Sequence, residues 1–127
     1  LKVYPGNQDY DDLKVSIKVF TKPAGFNPKK APEGTLYVDG RRLKFPLKCR
    51  RWKPADRFRP FGMKGFKKLS DFFIDLKLDV EEKKRQIVVT TLDKKGVEQI
   101  VCIVGKRIDD RWKVTAATKQ IVSITKV

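Results

Sequence analysis

The residues in this chain best equipped for chemistry are cations, and they are crowded together. Arg41, Arg42, Lys44, Lys48, Arg50, Arg51, Lys53, Arg57, Arg59, Lys64, Lys67 and Lys68 share residues 41–68 with one acid, Asp56, a net +11 in 28 residues. The other 99 residues carry only +4 between them. Charge that serves solubility alone is spread over a surface, whereas charge concentrated in one segment is the footprint of a polyanion partner. Guanidinium groups grip phosphate bidentately, and Trp52, Phe58, Phe61 and Phe66 are interleaved with them. Such rings either stack on nucleobases or fill a core, and core filling is the heavier reading for Trp52 and Phe58. Gly62 and Gly65 can let backbone N–H groups approach a phosphate closely. A lone acid among arginines, Asp56 is read as pinning one of them in a bidentate pair. A membrane surface is the competing polyanion, but the basic segment is loop-like, forms no amphipathic basic helix and carries no lipidation motif.

Missing residue types exclude other chemistry. There is no histidine, which removes His-assisted nucleophiles, most zinc hydrolase sites and any imidazole base. Cys49 and Cys102 are the only cysteines and form no C-x-x-C pair. They read as small packing residues of a reduced, intracellular protein rather than as a disulfide. Asp71, Asp75 and Asp109, the acids considered for a free-standing metal enzyme, are scattered without ligand spacing. A third reading, a docking domain whose basic face meets an acidic protein, stays open at this point.

A chain of 127 residues that is 40% hydrophobic has enough apolar material for one folded domain, and no apolar run reaches membrane-spanning length. Its first residue, Leu1, suggests a piece of a longer protein, so a module is expected rather than a whole machine. Leu13, Val15, Ile17 and Val19 alternate with polar residues, the period of a strand with one buried face. Proline and glycine make residues 21–34 a loop. Asp39-Gly40, between the strand-like residues 35–38 and 43–47, predicts a hairpin with a tight type I′ turn. Residues 53–65 have neither period and read as a long irregular loop. Leu69, Phe72, Phe73 and Leu76 then fall at helical spacing and predict one amphipathic helix packed on a sheet. Asp79 is a candidate N-cap for a short second helix, with Glu81 and Glu82 ahead of Lys83, Lys84 and Arg85. A second hairpin is expected over 87–104, turning at 93–96, and a last strand over 120–127. The fold class is α+β: a mostly antiparallel sheet or sandwich with one amphipathic helix and a short second one.

The run Pro54-Ala55-Asp56-Arg57-Phe58-Arg59-Pro60-Phe61-Gly62-Met63-Lys64-Gly65, followed by Lys67-Lys68-Leu69-Ser70-Asp71, resembles a "GDRF-x-P-x-G-M-x-G-x-K-K-L-S-D" stretch. That stretch belongs to the C-terminal domain of bacterial tRNA(Ile)-lysidine synthetase. Gly105-Lys106-Arg107-Ile108-Asp109-Asp110-Arg111-Trp112 is similar to the same domain's terminal "G-x-R-I-D-x-R-F" run. The two motifs span roughly residues 48–125, and Ala55 stands where the family has glycine. The resemblance divides the chain into residues 1–34, a strand and loop that belong to the domain or lead into it, and the domain proper at 35–127. It implies a sandwich shared with a domain of phenylalanyl-tRNA synthetase.

It also implies a cytoplasmic parent enzyme that uses ATP and magnesium to adenylate the wobble cytidine of tRNA-Ile(CAU), after which lysine displaces AMP. That chemistry sits in a PP-loop domain of the same polypeptide, whose S-G-G-x-D-S motif is absent here. This chain is then expected to need no cofactor of its own and to hold the tRNA on its acceptor-stem side. A homodimer is compatible with the resemblance. Carried over residue by residue, Asp56 and Arg57 match the family's D-R, Pro60, Gly62, Lys64 and Gly65 its turn, and Lys67 and Lys68 its K-K. Arg50, Arg51, Arg57, Arg59, Lys64, Lys67 and Lys68 are the implied nucleic-acid contacts, and Asp56, Pro60, Gly62 and Gly65 shape them. Arg85, Arg107 and Arg111 either extend the patch or form surface ion pairs with Asp109, Asp110 or a helix acid.

Overall fold

The computed structural model describes residues 2–4, 8–10 and 14–127. Its strands are β1 (Lys2–Val3), β2 (Gln8–Tyr10), β3 (Val15–Thr21), β4 (Thr35–Asp39), β5 (Leu47–Arg51), β6 (Arg57–Phe58), β7 (Lys67–Lys68), β8 (Ile87–Leu92), β9 (Glu98–Ile103), β10 (Arg107–Ile108) and β11 (Gln120–Lys126). Two helices, α1 (Leu69–Asp75) and α2 (Val80–Lys84), lie between β7 and β8. The strands form antiparallel sheets in the orders β1-β5-β8-β9-β10 and β2-β3-β11-β4, with a ribbon β6-β7 beside them. Leu13, where the first alternation was expected to begin, lies outside the described residues. From Val15 onward the alternation is present, with Val15 and Ile17 fully buried.

The two large sheets face each other over Val15, Ile17, Val38, Leu47, Cys49, Val89, Val101, Cys102, Val122 and Ile124. The five-stranded sheet is covered on its other face as well, where Val88, Ile100 and Ile103 meet Leu69, Phe72 and Phe73 of α1 and Phe58 of β6. Val88 and Val89 therefore point to opposite cores, as successive strand residues must. Two covered faces explain why β8 is buried through Val88–Thr91 rather than alternating. Phe58 and Phe73 are fully buried, and each contributes roughly 2–3 kcal/mol by leaving water.

The amphipathic stripe forms α1 as its spacing requires, with Leu76 serving as the C-cap and partly exposed. Asp79 caps α2 through a capping box: its carboxylate accepts from the Glu82 N–H while the Glu82 side chain accepts from the Asp79 N–H. The hairpin β8–β9 turns at Asp93, whose carboxylate accepts from the N–H groups of Lys95 and Val97.

The hairpin expected around Asp39-Gly40 does not form. β4 pairs with β11, whereas β5 pairs with β1 and β8 in the opposite sheet, so residues 40–46 carry the chain from one layer to the other. A type I′ turn needs positive φ at both central residues, but Asp39 has φ −74° and Gly40 is not among the positive-φ glycines. Instead Asp39 Oδ1 accepts from the Arg41 N–H at 2.8 Å and starts a 3₁₀ turn over Gly40–Arg42. Its Oδ2 accepts from the Thr118 hydroxyl at 2.7 Å. Gly40 also sits in tight space: a Cβ would stand 3.3 Å from Val122 Cγ2, which would have to give by a few tenths of an ångström.

Cys49 and Cys102 are both buried thiols. Burial pushes Cys49 up to about 11 and Cys102 higher still, so neither is a thiolate near neutral pH. No helix among the described residues is long and apolar enough to cross a membrane, and they hold no group of three or more His, Cys, Asp or Glu suited to a metal ion.

Candidate nucleic-acid interface

The basic segment and the second motif, far apart in sequence, are joined in the fold. The loop after β5 is anchored at its start by Asp56, whose Oδ2 accepts from the Lys53 N–H at 2.7 Å and whose carbonyl accepts from the Leu69 N–H at 3.1 Å. Arg57 and Phe58 then pair with Lys68 and Lys67, which drives the Phe58 ring into the helix-side core against Phe72 at 5.1 Å. Beyond it the chain docks on residues 108–110. The Arg59 N–H donates to Asp109 Oδ2 at 2.8 Å, and the Phe61 N–H to the Ile108 carbonyl at 3.0 Å. The Asp110 N–H donates back to the Arg59 carbonyl at 2.7 Å. Pro60 is buried in this seam. Gly62 turns with φ +89°, the left-handed region glycine favours, and its N–H donates to Asp110 Oδ1 at 3.1 Å.

Asp109 organises the seam. It is fully buried and accepts four hydrogen bonds: from the Arg59 N–H, from the Arg111 N–H at 2.8 Å, and from Arg111 Nε and Nη2, each at 2.9 Å. Arg111 also donates to Gln99 Oε1 at 2.8 Å, and its guanidinium lies over Phe66 at 4.9 Å and over Trp112 at 4.6 Å. Such a carboxylate survives in an apolar interior only because its partner and donors replace its water.

The implied contact residues fall into two groups. Arg50 is spent inside the protein: all five of its N–H donors are used, on both oxygens of Asp56, both oxygens of Glu98 and the Arg51 carbonyl. Asp56 thus pins Arg50 bidentately, each contact at 2.9 Å. Arg59 reaches the Met63 carbonyl and Asp110, Lys67 pairs with Asp75, and Arg111 serves Asp109. In contrast Arg57, Lys64 and Lys68 are exposed and their side chains have no hydrogen bond or ion pair among the described residues. Arg107 lies over the Phe72 ring at 5.3 Å and has no carboxylate partner there. Arg51 donates to the Lys84 carbonyl and stays exposed, beside Arg85 and Lys84. Gly65 is exposed and open to solvent.

Among the aromatics, Trp52 donates to the Lys83 carbonyl at 2.6 Å and packs on Phe73, while Phe61 and Phe66 stay exposed. Sequence reasoning offered Asp109 as an ion-pair partner for Arg107 or Arg111 and as one of the scattered acids, not as a buried acceptor. The signal for its burial was its place inside a "G-x-R-I-D" run, yet nothing in the residue types says that this run closes over the other motif.

The Glu98 carboxylate is held below the usual range, chiefly by the hydrogen bonds from Arg50 and also by Thr90. Asp79 and Asp93 are lowered too, mainly by the backbone N–H groups of Glu82 and Val97 that they cap. A carboxylate with a depressed native pKa contributes stability that is whole above its unfolded value, near 4.5 for Glu98, and is lost as pH falls through its native value. The urea midpoint is therefore expected to hold steady from pH 7 to about 5 and to drop as pH falls below about 4.5. Glu98→Gln should start lower and show a shallower acid drop, and a midpoint independent of pH over that window would contradict this.

The chain matches the TilS substrate C-terminal domain over residues 47–124. It is 43% identical over 116 residues to the tRNA(Ile)-lysidine synthase of Parabacteroides distasonis, covering 91% of this chain and 25% of that protein. It is 35% identical over 88 residues to the enzyme of the same name from Bacteroides thetaiotaomicron, covering 69% of this chain and 20% of that one. The chain therefore spans about a quarter or less of the length of these relatives. In structure it is similar to a crystal structure of a TilS C-terminal domain, with TM-score 0.66 at 20% identity over 98% of this chain and 88% of the other. It is also similar to an N-terminal fragment of the phenylalanyl-tRNA synthetase β-subunit from Pyrococcus horikoshii, with TM-score 0.63 at 13% identity over 98% and 46%. With the two motifs closed into one pinned loop and the family matched across most of the folded core, this chain belongs to the TilS C-terminal domain family of tRNA(Ile)-lysidine synthases.

Proposed function

We propose that this domain grips the body of tRNA-Ile(CAU), toward the acceptor stem, while a PP-loop domain of the same polypeptide modifies the anticodon. In that division of labour ATP and magnesium belong to the PP-loop domain, which adenylates the wobble cytidine before lysine displaces AMP. This domain contributes binding energy and position.

One observation carries the reading: exposed cations without internal partners, Arg57, Lys64 and Lys68, stand on a segment held in shape by the buried Asp109 seam. A cation on a floppy loop must be ordered when it binds, and that cost lowers affinity. Here the backbone that carries the cations is held by β6, β7 and the seam, so less of it must be ordered on binding. The RNA backbone is the partner such an array suits, because phosphate contacts position a protein without reading sequence.

The test is affinity for the full tRNA, an acceptor-stem minihelix and an anticodon stem-loop, each across a salt series. The acceptor minihelix is expected to be preferred, with a steep salt dependence. Arg57→Ala and Lys64→Ala should each weaken binding and shallow the salt slope by about one contact's worth. Equal weak binding of all three RNAs, or variants that bind as the parent does, would overturn the assignment.

A further inference from the structure

Between the edge strands of the two large sheets runs a groove that the phosphate-gripping cations do not account for. Its volume is about 340 Å³, and it lies where β4, the last strand in the order β2-β3-β11-β4, approaches β10, the last of the five-stranded sheet. Tyr37 and Phe61 line it together with aliphatic side chains, and Lys29, Lys106, Arg107 and Lys113 border it. No carboxylate lines it among the described residues. Tyr37 is held in place by Phe26 and Phe20, with ring centroids 4.9 and 6.3 Å away. Phe61 is 47% exposed, yet its backbone is fixed by the N–H bond to the Ile108 carbonyl.

A large ring left half in water, in one groove with a second aromatic and four cations, of which Lys113 also reaches Asp110 at 3.6 Å, has the makings of a stacking platform with a phosphate rim. The volume falls at the small-ligand end of the usual pocket range. A paired base cannot use such a groove, because its faces are already stacked in the helix. We propose that this groove takes an unpaired nucleotide of the bound RNA, its base stacked on Phe61 and its phosphate near Lys106 and Arg107. The inference rests on the RNA-binding reading above and adds to it a single-stranded subsite beside the duplex grip.

The experiment compares two RNA hairpins binding to this chain: one blunt, one with a short unpaired 3′ extension carrying 2-aminopurine. The extension should tighten binding about tenfold, the size of one base–aromatic stack, and the 2-aminopurine fluorescence should be quenched on binding. Phe61→Ala should abolish both the gain and the quenching while the blunt hairpin binds as before. Phe61→Trp should keep both. Equal affinity for the two hairpins with salt-dependent binding of each would overturn the groove and leave the duplex grip standing. A gain that survives Phe61→Ala would place the extension elsewhere. If AMP alone displaces the extension at concentrations near its own Kd for the chain, the occupant is a free nucleotide rather than an RNA strand. Failure of both hairpins to bind would remove the RNA reading and this subsite together.

Discussion

Asp109→Ala is expected to destabilise the domain by about 3–5 kcal/mol, the cost of removing one partner from a buried ion pair. The substitution strips the carboxylate that accepts from Arg59 and Arg111 main-chain N–H groups and twice from the Arg111 guanidinium. Two part-buried amides and a largely covered guanidinium, 25% exposed, then face the seam with only Gln99 still accepting. In a domain of this size the melting temperature should fall by about 10–20 °C. Amide exchange should accelerate first at Arg59, Gly62 and Arg111, the groups that tie the loop down. Asp109→Leu combined with Arg111→Met, which removes both charges, should recover part of the loss, since an unpaired charge costs more than an absent pair. RNA affinity is expected to fall in Asp109→Ala even where the protein remains folded, because Arg57 and Lys64 would then be ordered at the expense of binding. A melting temperature within about 3 °C of the parent would show that the seam holds without its carboxylate.

Phe58→Ala is the second large effect, also about 3–5 kcal/mol. The Phe58 ring is fully buried among Leu69, Phe72, Phe73, Val88, Ile100 and Ile103, so truncation leaves a cavity bounded by a helix and a sheet, neither free to collapse. It is also the only fully buried side chain of the two-residue strand β6, whose sole partner strand is β7. Losing it should therefore detach the ribbon as well as weaken the core. Denaturant unfolding measures the first consequence, and protease sensitivity of residues 53–66 at low denaturant measures the second. Phe58→Leu, which keeps most of the volume, is expected to cost roughly half as much. If Phe58→Ala lost stability but kept tRNA affinity at temperatures where it is folded, the ribbon would not be what positions Arg57 and Lys68.

Both predictions rest on contacts across the fold, Asp109 with Arg59 and Phe58 with Val88, Ile100 and Ile103, and that is where sequence reasoning ran out. The stripe of Leu69, Phe72 and Phe73, the Asp79 cap and the Asp93 turn were legible because each is a local arrangement whose physics closes within a few residues. The charge cluster was legible too, since crowding twelve cations is unfavourable unless something external gains by it. Asp39-Gly40 misled because the same dipeptide serves two local geometries. A short Asx side chain can start a 3₁₀ turn as readily as it can accept positive φ, and only the pairing of β4 with β11 decides between them.

Arg50 shows the same limit among the implied contact residues. Its composition and neighbourhood match those of Arg57, yet Arg50 lies on β5 within reach of Glu98 on β9, and Arg57 does not. Charge type and density, the α1 stripe, the α2 cap, the β8–β9 hairpin and the family motifs were therefore determined by the sequence by itself, whereas the crossing at 40–46 and strand β6 inside the expected irregular loop 53–65 were not. Which cations are spent inside, which face outward, and that two distant motifs close on one buried carboxylate were decided only by the tertiary structure. The reason is that desolvation and hydrogen-bond satisfaction depend on neighbours in space, and neighbours across a sheet have no fixed separation along the chain.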